Sequence, residues 1–323
     1  MASFAQASFS ASTYSAFRPT YPPRLIKIIY DYHSNNQKRV GSDARSLDLG
    51  CGTGQVTEML PRYFKSVIGT DPSRGMIAQA QEQATHLEYA SQMEFATCAA
   101  EEVSSIMEPS SVDLVTAGQA VHWFHQRRIW PEVSKVLKPG GTIAFWVYSE
   151  MRIVGHPDLT PLIEEYSQSG RSLGPFWQQP GRGILERHIQ EISFPDSKDW
   201  DNSSTRRIHF AGDLAPELKD MPFYQLSKSE EAPWDMPSDG EFKTDSILQK
   251  KLTWEGIRSY LWTWSSLHNY HEKNPEDKER RGKGQDGDIA DRFIETLRGK
   301  VPPGTETLEV AWPVSLMMIK KKA

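Results

Sequence analysis

Leu47-Asp48-Leu49-Gly50-Cys51-Gly52-Thr53-Gly54 is the stretch on which the reading of this chain turns. Arg45 to Leu49 (RSLDL) reads as a strand, closes on three alternate glycines, and opens into a segment with helical spacing, Gln55 to Phe64. Glycines at a strand-to-helix turn let backbone amides approach a ligand that a Cβ would keep away. The order here is GxGxG with an acidic residue two positions before the first glycine, which differs from the GxGxxG dinucleotide fingerprint. Asp48 would repel a pyrophosphate and tolerate an amine or another cation. The next apolar run, Ser66 to Thr70, delivers Asp71, 21 residues after Gly50, to a strand's carboxyl end, where a carboxylate can accept from both hydroxyls of a ribose. Together these features point to an adenosyl ligand carrying little negative charge.

Outward from this point the strand-then-helix rhythm continues, as expected of parallel strands joined by crossover helices. Gly75 to Ala90 reads as a helix, and Met93 to Cys98, Val112 to Ala117 and Thr142 to Tyr148 as strands three to five. A helix between the last two ends at Lys138, before Pro139-Gly140-Gly141. Five parallel strands predict a doubly wound α/β sheet. After Ser149 the alternation stops, and an elaboration over the sheet is expected. Within it, Trp254 to Tyr270 predicts one amphipathic helix with an aromatic face, Glu272 to Asp288 an exposed mobile loop, Ile289 to Arg298 a helix, and Thr307 to Lys320 one long final strand. There is no internal repeat.

Composition narrows the function classes. The 323 residues are 38% hydrophobic and 24% charged, which excludes a wholly disordered chain. Lys plus Arg is 37 against Asp plus Glu 42, a net charge of −5, so no global positive field gathers nucleic acid or anionic lipid. Two cysteines, Cys51 and Cys98, cannot make a disulfide framework, and no apolar run reaches the roughly 20 residues of a membrane span. The first residues lack the cationic and apolar regions of a secretory signal. A soluble, cytoplasmic protein with no nucleic-acid and no membrane partner is the expectation. The histidines show no metal-ligand spacing beyond His122 and His125, so no metal is expected.

With LDLGCGTG, GTDPSRGMI, VDLVTAGQAVHWF and LKPGG in hand, the chain resembles a class I S-adenosylmethionine-dependent methyltransferase with a methyltransferase type 11 domain. The resemblance implies a Rossmann-like, doubly wound seven-stranded sheet with mainly helical substrate-side insertions. It implies that Asp48, Gly50, Gly52 and Gly54 hold the methionine end, that Asp71 binds the ribose, that Met76 packs on the adenine, and that Gln119 joins the cofactor site. Family members often carry Asp-Ala-Glu after the third strand; here Cys98-Ala99-Ala100-Glu101 stands there, so backbone groups at Ala99 must serve the adenine edge. Further stretches, Tyr14 to Pro22, His122-Trp123-Phe124, Leu173 to Arg182 and Thr263-Trp264-Ser265, are similar to fungal trans-aconitate methyltransferases. Two departures from that subfamily stand out: His125 where Asp is common, and long segments at Lys219 to Thr244 and Glu272 to Asp288. The implied organisation is a lid over residues 1–40 that includes Tyr14, Arg18 and Tyr21, a cofactor-binding core over 41–150, and an acceptor-side elaboration over 151–323.

Methyl transfer from a sulfonium is an in-line displacement in which charge disperses, so alignment and water exclusion dominate. A carboxylate acceptor is already ionised at pH 7 and needs no general base. It needs a cation or neutral donors to hold it while one oxygen stays free to attack. The candidates are Arg182 with Trp177 and Gln179 beside it, and His122 with Trp123 at the end of strand four. Trp264 and His268, four apart, could close the pocket or could simply be core. Cys51 reads as a filler within the turn. Three functions remain open on the sequence: transfer to a small carboxylic acid such as trans-aconitate, transfer to another secondary metabolite or to a protein, and cofactor binding without turnover. The oligomeric state is not encoded in any of these features.

Overall fold

The computed structural model describes residues 17–35, 43–195, 198–210, 240–243 and 245–323. Five parallel strands form where the apolar runs predicted them: β1 (Arg45–Leu49), β2 (Ser66–Asp71), β3 (Met93–Thr97), β4 (Val112–Gly118) and β5 (Leu137–Tyr148). The interiors of β1, β2, β4 and β5 are enclosed on both faces, Ser46 and Asp48 of β1 included, whereas edge strand β3 is mostly half-buried or exposed. After β6 (Arg152–Ile153), β7 (Trp200–Phe210), β8 (Gly240–Lys243), β9 (Gln249–Thr253) and β10 (Thr307–Ala311), the chain ends in β11 (Val314–Lys321). The main sheet runs β3-β2-β1-β4-β5-β11-β7-β8, the seven-stranded Rossmann-like order with a short eighth strand at its edge. β11 lies antiparallel between β5 and β7, with Val314 opposite both Tyr148 and Phe210. Its residues alternate between two cores: Leu316 and Met318 face one layer, Met317 and Ile319 the other.

The connection from β1 goes to one side of the sheet and β4 pairs on its other side, so β1 and β4 mark the reversal of strand order. In open α/β sheets ligands sit in the crevice outside the strands' carboxyl ends at such a point. The helix α1 (Pro23–His33) starts on Pro23, whose missing N–H costs nothing in a first turn, and buries Leu25, Ile26, Ile29 and Tyr30 beside Trp146. A three-stranded sheet, β6-β10-β9, lies beside the later helices; along the chain α1 is followed by α2 (Arg74–Ala84), α3 (Gln126–Val136), α4 (Thr160–Gln168) and α5 (Gly181–Glu186), and the short α8 (Pro275–Lys278) precedes the last helix.

Four sequence expectations are corrected. Gln55 to Phe64 is a 3-10 helix over Thr57–Arg62, because Pro61 has no N–H for an i to i−4 bond. Trp254 to Tyr270 is two helices, α6 (Trp254–Leu261) and α7 (Ser265–Lys273). At the break the Thr263 hydroxyl donates to the Tyr260 carbonyl at 2.6 Å, competing with helix propagation. Glu272 to Asp288 is anchored from within: Asp277 accepts from Ile289 N and Arg292 Nη1, both at 2.8 Å, and fully buried Asp288 caps α9 (Ile289–Arg298) through Asp291 N at 2.9 Å. Thr307 to Lys320 is two strands in two sheets, split at Pro313, which cannot donate to a ladder. The Lys219 to Thr244 segment lies outside the described residues except for 240–243.

Candidate active site

The carboxyl ends of β1, β2 and β4 open on a cleft of about 200 Å³ lined by, among others, Asp48, Gly50, Gly52, Asp71, Met76 and Ala99. Gly50 (φ 63°) and Gly52 (φ 55°) both need the left-handed region, and a Cβ on Gly50 would stand 2.6 Å from that of Ala120. Asp48 is buried beneath the turn, accepting from Thr57 Oγ1 at 2.7 Å and Thr116 Oγ1 at 2.9 Å. Burial pushes its carboxyl up to about 7 despite those two bonds. Asp71 accepts from Gly52 N at 3.1 Å and Ser73 N at 2.8 Å, which orients it at the cleft wall and leaves lone pairs for a diol. Burial raises its carboxyl as well. Ser73 also caps the helix α2 (Arg74–Ala84), whose first turn brings buried Met76 to the wall.

A second, smaller cleft of about 60 Å³ adjoins the first, sharing Gln119, Trp123 and Tyr148 with it. Trp123, Trp177, Trp264 and Tyr260 line it, with Arg18, Arg182, Glu150 and His122 as its charged or titratable side chains besides the tyrosines. Arg182 projects from the short helix α5 (Gly181–Glu186) with its guanidinium 3.9 Å from the Trp177 ring. Its Nη2 donates to Glu150 and, at 2.8 Å, to Ser167 Oγ, and its Nε donates to Glu186 at 2.6 Å. Burial raises the Glu150 carboxyl, and Arg182 and Arg152 oppose that rise. Arg18 donates to Tyr148 Oη at 2.9 Å and to the Thr263 carbonyl at 3.0 Å. Burial first, then Arg182 and Arg18, lower His122 to about 3, so its imidazole is neutral at physiological pH.

Residues 47–145 match the methyltransferase domain family model. Over 302 residues the chain is 26% identical to CRG1 of Saccharomyces cerevisiae, described as a probable S-adenosylmethionine-dependent methyltransferase, covering 92% of this chain and 89% of that one. It is also 26% identical over 336 residues to the methyltransferase cfoB of Aspergillus candidus, covering 95% and 93%. The chain is an S-adenosylmethionine-dependent methyltransferase. A solved structure from Anaeromyxobacter dehalogenans, under a provisional type II methyltransferase name, superposes with a TM-score of 0.62 at 20% identity over 94% of this chain and 98% of that one, which bears on the fold.

The methyltransferase's first cleft suits its cofactor on its own geometry. Gly52 has no atom within 4 Å of where its Cβ would be, so the turn leaves open space at the ligand face. Asp48, raised by burial, would be relieved by a neighbouring cation, and Asp71 carries acceptors for a ribose. Of the residues named from sequence, Asp48, Gly50, Gly52, Asp71, Met76, Ala99 and Gln119 line this cleft. Gly54 does not; its backbone packs against Phe95 and Ala80. The Gln119 amide pairs with both backbone groups of Tyr148, at 3.0 and 2.7 Å, and so braces the shared wall. Cys51 has a buried thiol raised well above its usual range, fitting a filler. In the second cleft of the methyltransferase the structure brings together His122, Trp123, Trp177, Arg182 and Trp264. Gln179 is not there: its Oε1 accepts from Gly183 N at 3.1 Å, and Gln178 lines the cleft instead. His268 also lies outside it, and Tyr14 is outside the described residues. Sequence reasoning missed Glu150; its place two residues beyond β5, at a strand's carboxyl end, was the signal that could have found it. Among the described residues no cluster of three or more His, Cys, Asp or Glu could hold a metal, and no helix is long and apolar enough to cross a membrane.

Proposed function

We propose that this methyltransferase transfers a methyl group to a carboxylate oxygen of a small acid such as trans-aconitate, seated in the second cleft. The observation that carries this reading is the charge lining that cleft: the guanidinium groups of Arg18 and Arg182 against the carboxylate of Glu150, with His122 held neutral. Among the lining residues the balance is positive, which favours an anion. When bound, the cofactor supplies an electrophilic methyl carbon on a sulfonium. An acceptor carboxylate would give a lone pair to that carbon as the C–S bond broke with its electron pair left on sulfur, so no proton would have to move. The residues are suited to that chemistry: His122 is too weak a base to take a proton at neutral pH, and Glu150 is engaged by Arg182, Ser167 and Gln168. Their work is holding and water exclusion, with the indoles of Trp123, Trp177 and Trp264 as walls.

In this reading the N-terminal segment is the lid, since Arg18 lines the acceptor cleft and Tyr21 the cofactor cleft; residues 41–150 are the cofactor core and 151–323 the acceptor side. The aromatic walls favour a second reading, a planar uncharged secondary metabolite. A panel of acids, phenols and amines offered with methyl-labelled cofactor separates the two. Base-labile methyl ester on a polycarboxylate is expected; label on phenols or amines alone removes the first reading.

A further inference from the structure

The first two residues of α5 each meet an indole: the Arg182 guanidinium lies 3.9 Å from the Trp177 ring, and Gly181 packs on Trp123. A Cβ added to Gly181 would stand 2.6 Å from Cζ3, 2.7 Å from Cε3 and 3.1 Å from Cη2 of the Trp123 ring. Packed carbon atoms do not approach so closely, so a side chain at 181 would force either the indole or the helix start to move. Backbone freedom is not the reason for this glycine. Position 181 is helical and not left-handed, a conformation that alanine adopts more readily than glycine. The two sides of the contact do not yield equally. Arg182 is 7% exposed and bonded to Glu150, Ser167 and Glu186, whereas Trp123, which rests on the His122 ring at 4.8 Å, is 37% exposed. Trp123 also lines both clefts. The part that gives way is therefore the wall shared by the two clefts, and the Arg182 side chain stays in place.

We infer that Gly181 is a positioning residue for methyl transfer: its missing side chain lets the Trp123 indole seat against the helix that carries Arg182, and so sets where the shared wall stands. The inference rests on the second cleft being the acceptor's seat, as proposed above. In-line displacement tolerates little error in the approach to the methyl carbon, and a misplacement of about 1 Å caused far from the reacting atoms can cost about 100-fold in rate. With the wall moved, an acid would still meet the charge of Arg182. The boundary that aligns it and keeps water out would be displaced. Loss should then fall on kcat and leave KM nearly alone.

The test uses the whole chain with trans-aconitate and methyl-labelled S-adenosylmethionine. Gly181→Ala should lower kcat about tenfold while the trans-aconitate KM moves by less than about twofold. Gly183→Ala is the control on the same helix. Its added methyl would meet the terminal nitrogens of Arg187 at 3.0 and 3.2 Å and Gln179 Oε1 at 3.2 Å, flexible ends that can step aside, so both constants should stay near wild type. Trp123→Leu removes the ring, and adding Gly181→Ala to it should cost less than about twofold more in kcat, because the two changes act through one contact. The inference is overturned by an unchanged kcat in Gly181→Ala, by a KM that rises as far as kcat falls, or by a tenfold loss that persists in the Trp123→Leu background. A fall in the unfolding midpoint of Gly181→Ala that Trp123→Leu does not relieve assigns the glycine to stability and overturns it as well. If the wild-type enzyme methylates only phenols or amines, the carboxylate reading falls, and the same comparisons made with that acceptor still decide the role of Gly181.

Discussion

The two clefts share a wall of Gln119, Trp123 and Tyr148 and are otherwise built on opposite plans. The cofactor cleft is mostly backbone: two left-handed glycines, amide hydrogens pointed at Asp71, and a carboxylate sunk beneath the turn. The second cleft, the proposed acceptor cleft, is mostly side chain, assembled from positions as far apart as Arg18 and Ser265 and stiffened by a buried ionic network. Backbone cradles bind one ligand and change little without losing it. A side-chain cleft can be respecified by single substitutions, but each buried charge depends on a partner. The two should therefore fail differently.

Arg182→Ala gives the largest expected effect. Removing it leaves Glu150 buried without its partner, and breaking a buried pair from one side costs about 3 to 5 kcal/mol. A clear fall in the thermal unfolding midpoint is expected, together with loss of acceptor binding. The double variant Arg182→Met with Glu150→Gln should recover much of the midpoint while acceptor binding stays lost. Equal midpoints for the two variants would mean that Glu150 is not strained by the loss, and that the acceptor cleft is softer than its burial suggests.

Asp71→Ala probes the other cleft and should lower the unfolding midpoint less than Arg182→Ala does, since it frees the amides of Gly52 and Ser73 rather than stranding a buried charge. It removes charge-assisted bonds of about 1.5 to 3 kcal/mol, so cofactor affinity should drop by about one to two orders of magnitude in calorimetry. Acceptor affinity measured on the cofactor-loaded variant should stay near wild type. A matching fall in acceptor affinity would show that the clefts are coupled through Gln119 and Tyr148 rather than merely adjacent.

The same contrast decides how much of the molecule is legible in its sequence. The cofactor cleft is legible because its parts lie close along the chain and each has a local cause: glycines that need positive φ, an acid at each of two strand tips, a strand-then-helix rhythm. Gly54 is the exception, since whether a glycine faces a ligand or the Phe95 ring depends on the fold around it. The acceptor cleft is legible only where a residue sits at a strand end, as His122 and Trp123 do. Arg182 stands out in the sequence, yet its pairing with Glu150, 32 residues away, does not, because no local pattern records a long-range ion pair. The broken helix at Thr263 and the split strand at Pro313 escape a sequence reading for a related reason: amphipathic spacing continues across both breaks while the backbone bonding does not.

A smaller effect concerns pH. Burial places Asp48 at about 7 in the free protein, so near neutrality a substantial fraction is protonated. A cationic cofactor favours the ionised carboxylate, so binding below that value must drive a proton off, and affinity falls as pH falls. From pH 8 to 6 the cofactor's Kd should rise, approaching about tenfold per unit below 7. Binding heats in buffers of different ionisation enthalpy should reveal the released proton near pH 6 and little at pH 8. A flat profile would mean that Asp48 is ionised throughout, and Asp48→Asn should flatten it if the assignment holds.

The smallest effect separates neighbours. Gln178 lines the acceptor cleft, while Gln179 turns its carbonyl oxygen to Gly183 N at 3.1 Å at the start of the helix carrying Arg182. Gln179→Ala loses one neutral hydrogen bond, about 0.5 to 1.5 kcal/mol of stability, and should shift the unfolding midpoint slightly with little change in KM. Gln178→Ala should do the reverse, moving the acceptor's KM more than Gln179→Ala does. Because Arg182 is held by Glu150, Ser167 and Glu186, loosening the first turn of its helix should not release it. If Gln179→Ala changes KM as much as Gln178→Ala does, the helix start rather than the ionic network fixes Arg182, and the acceptor cleft is closer to the backbone plan of its neighbour than the two geometries imply.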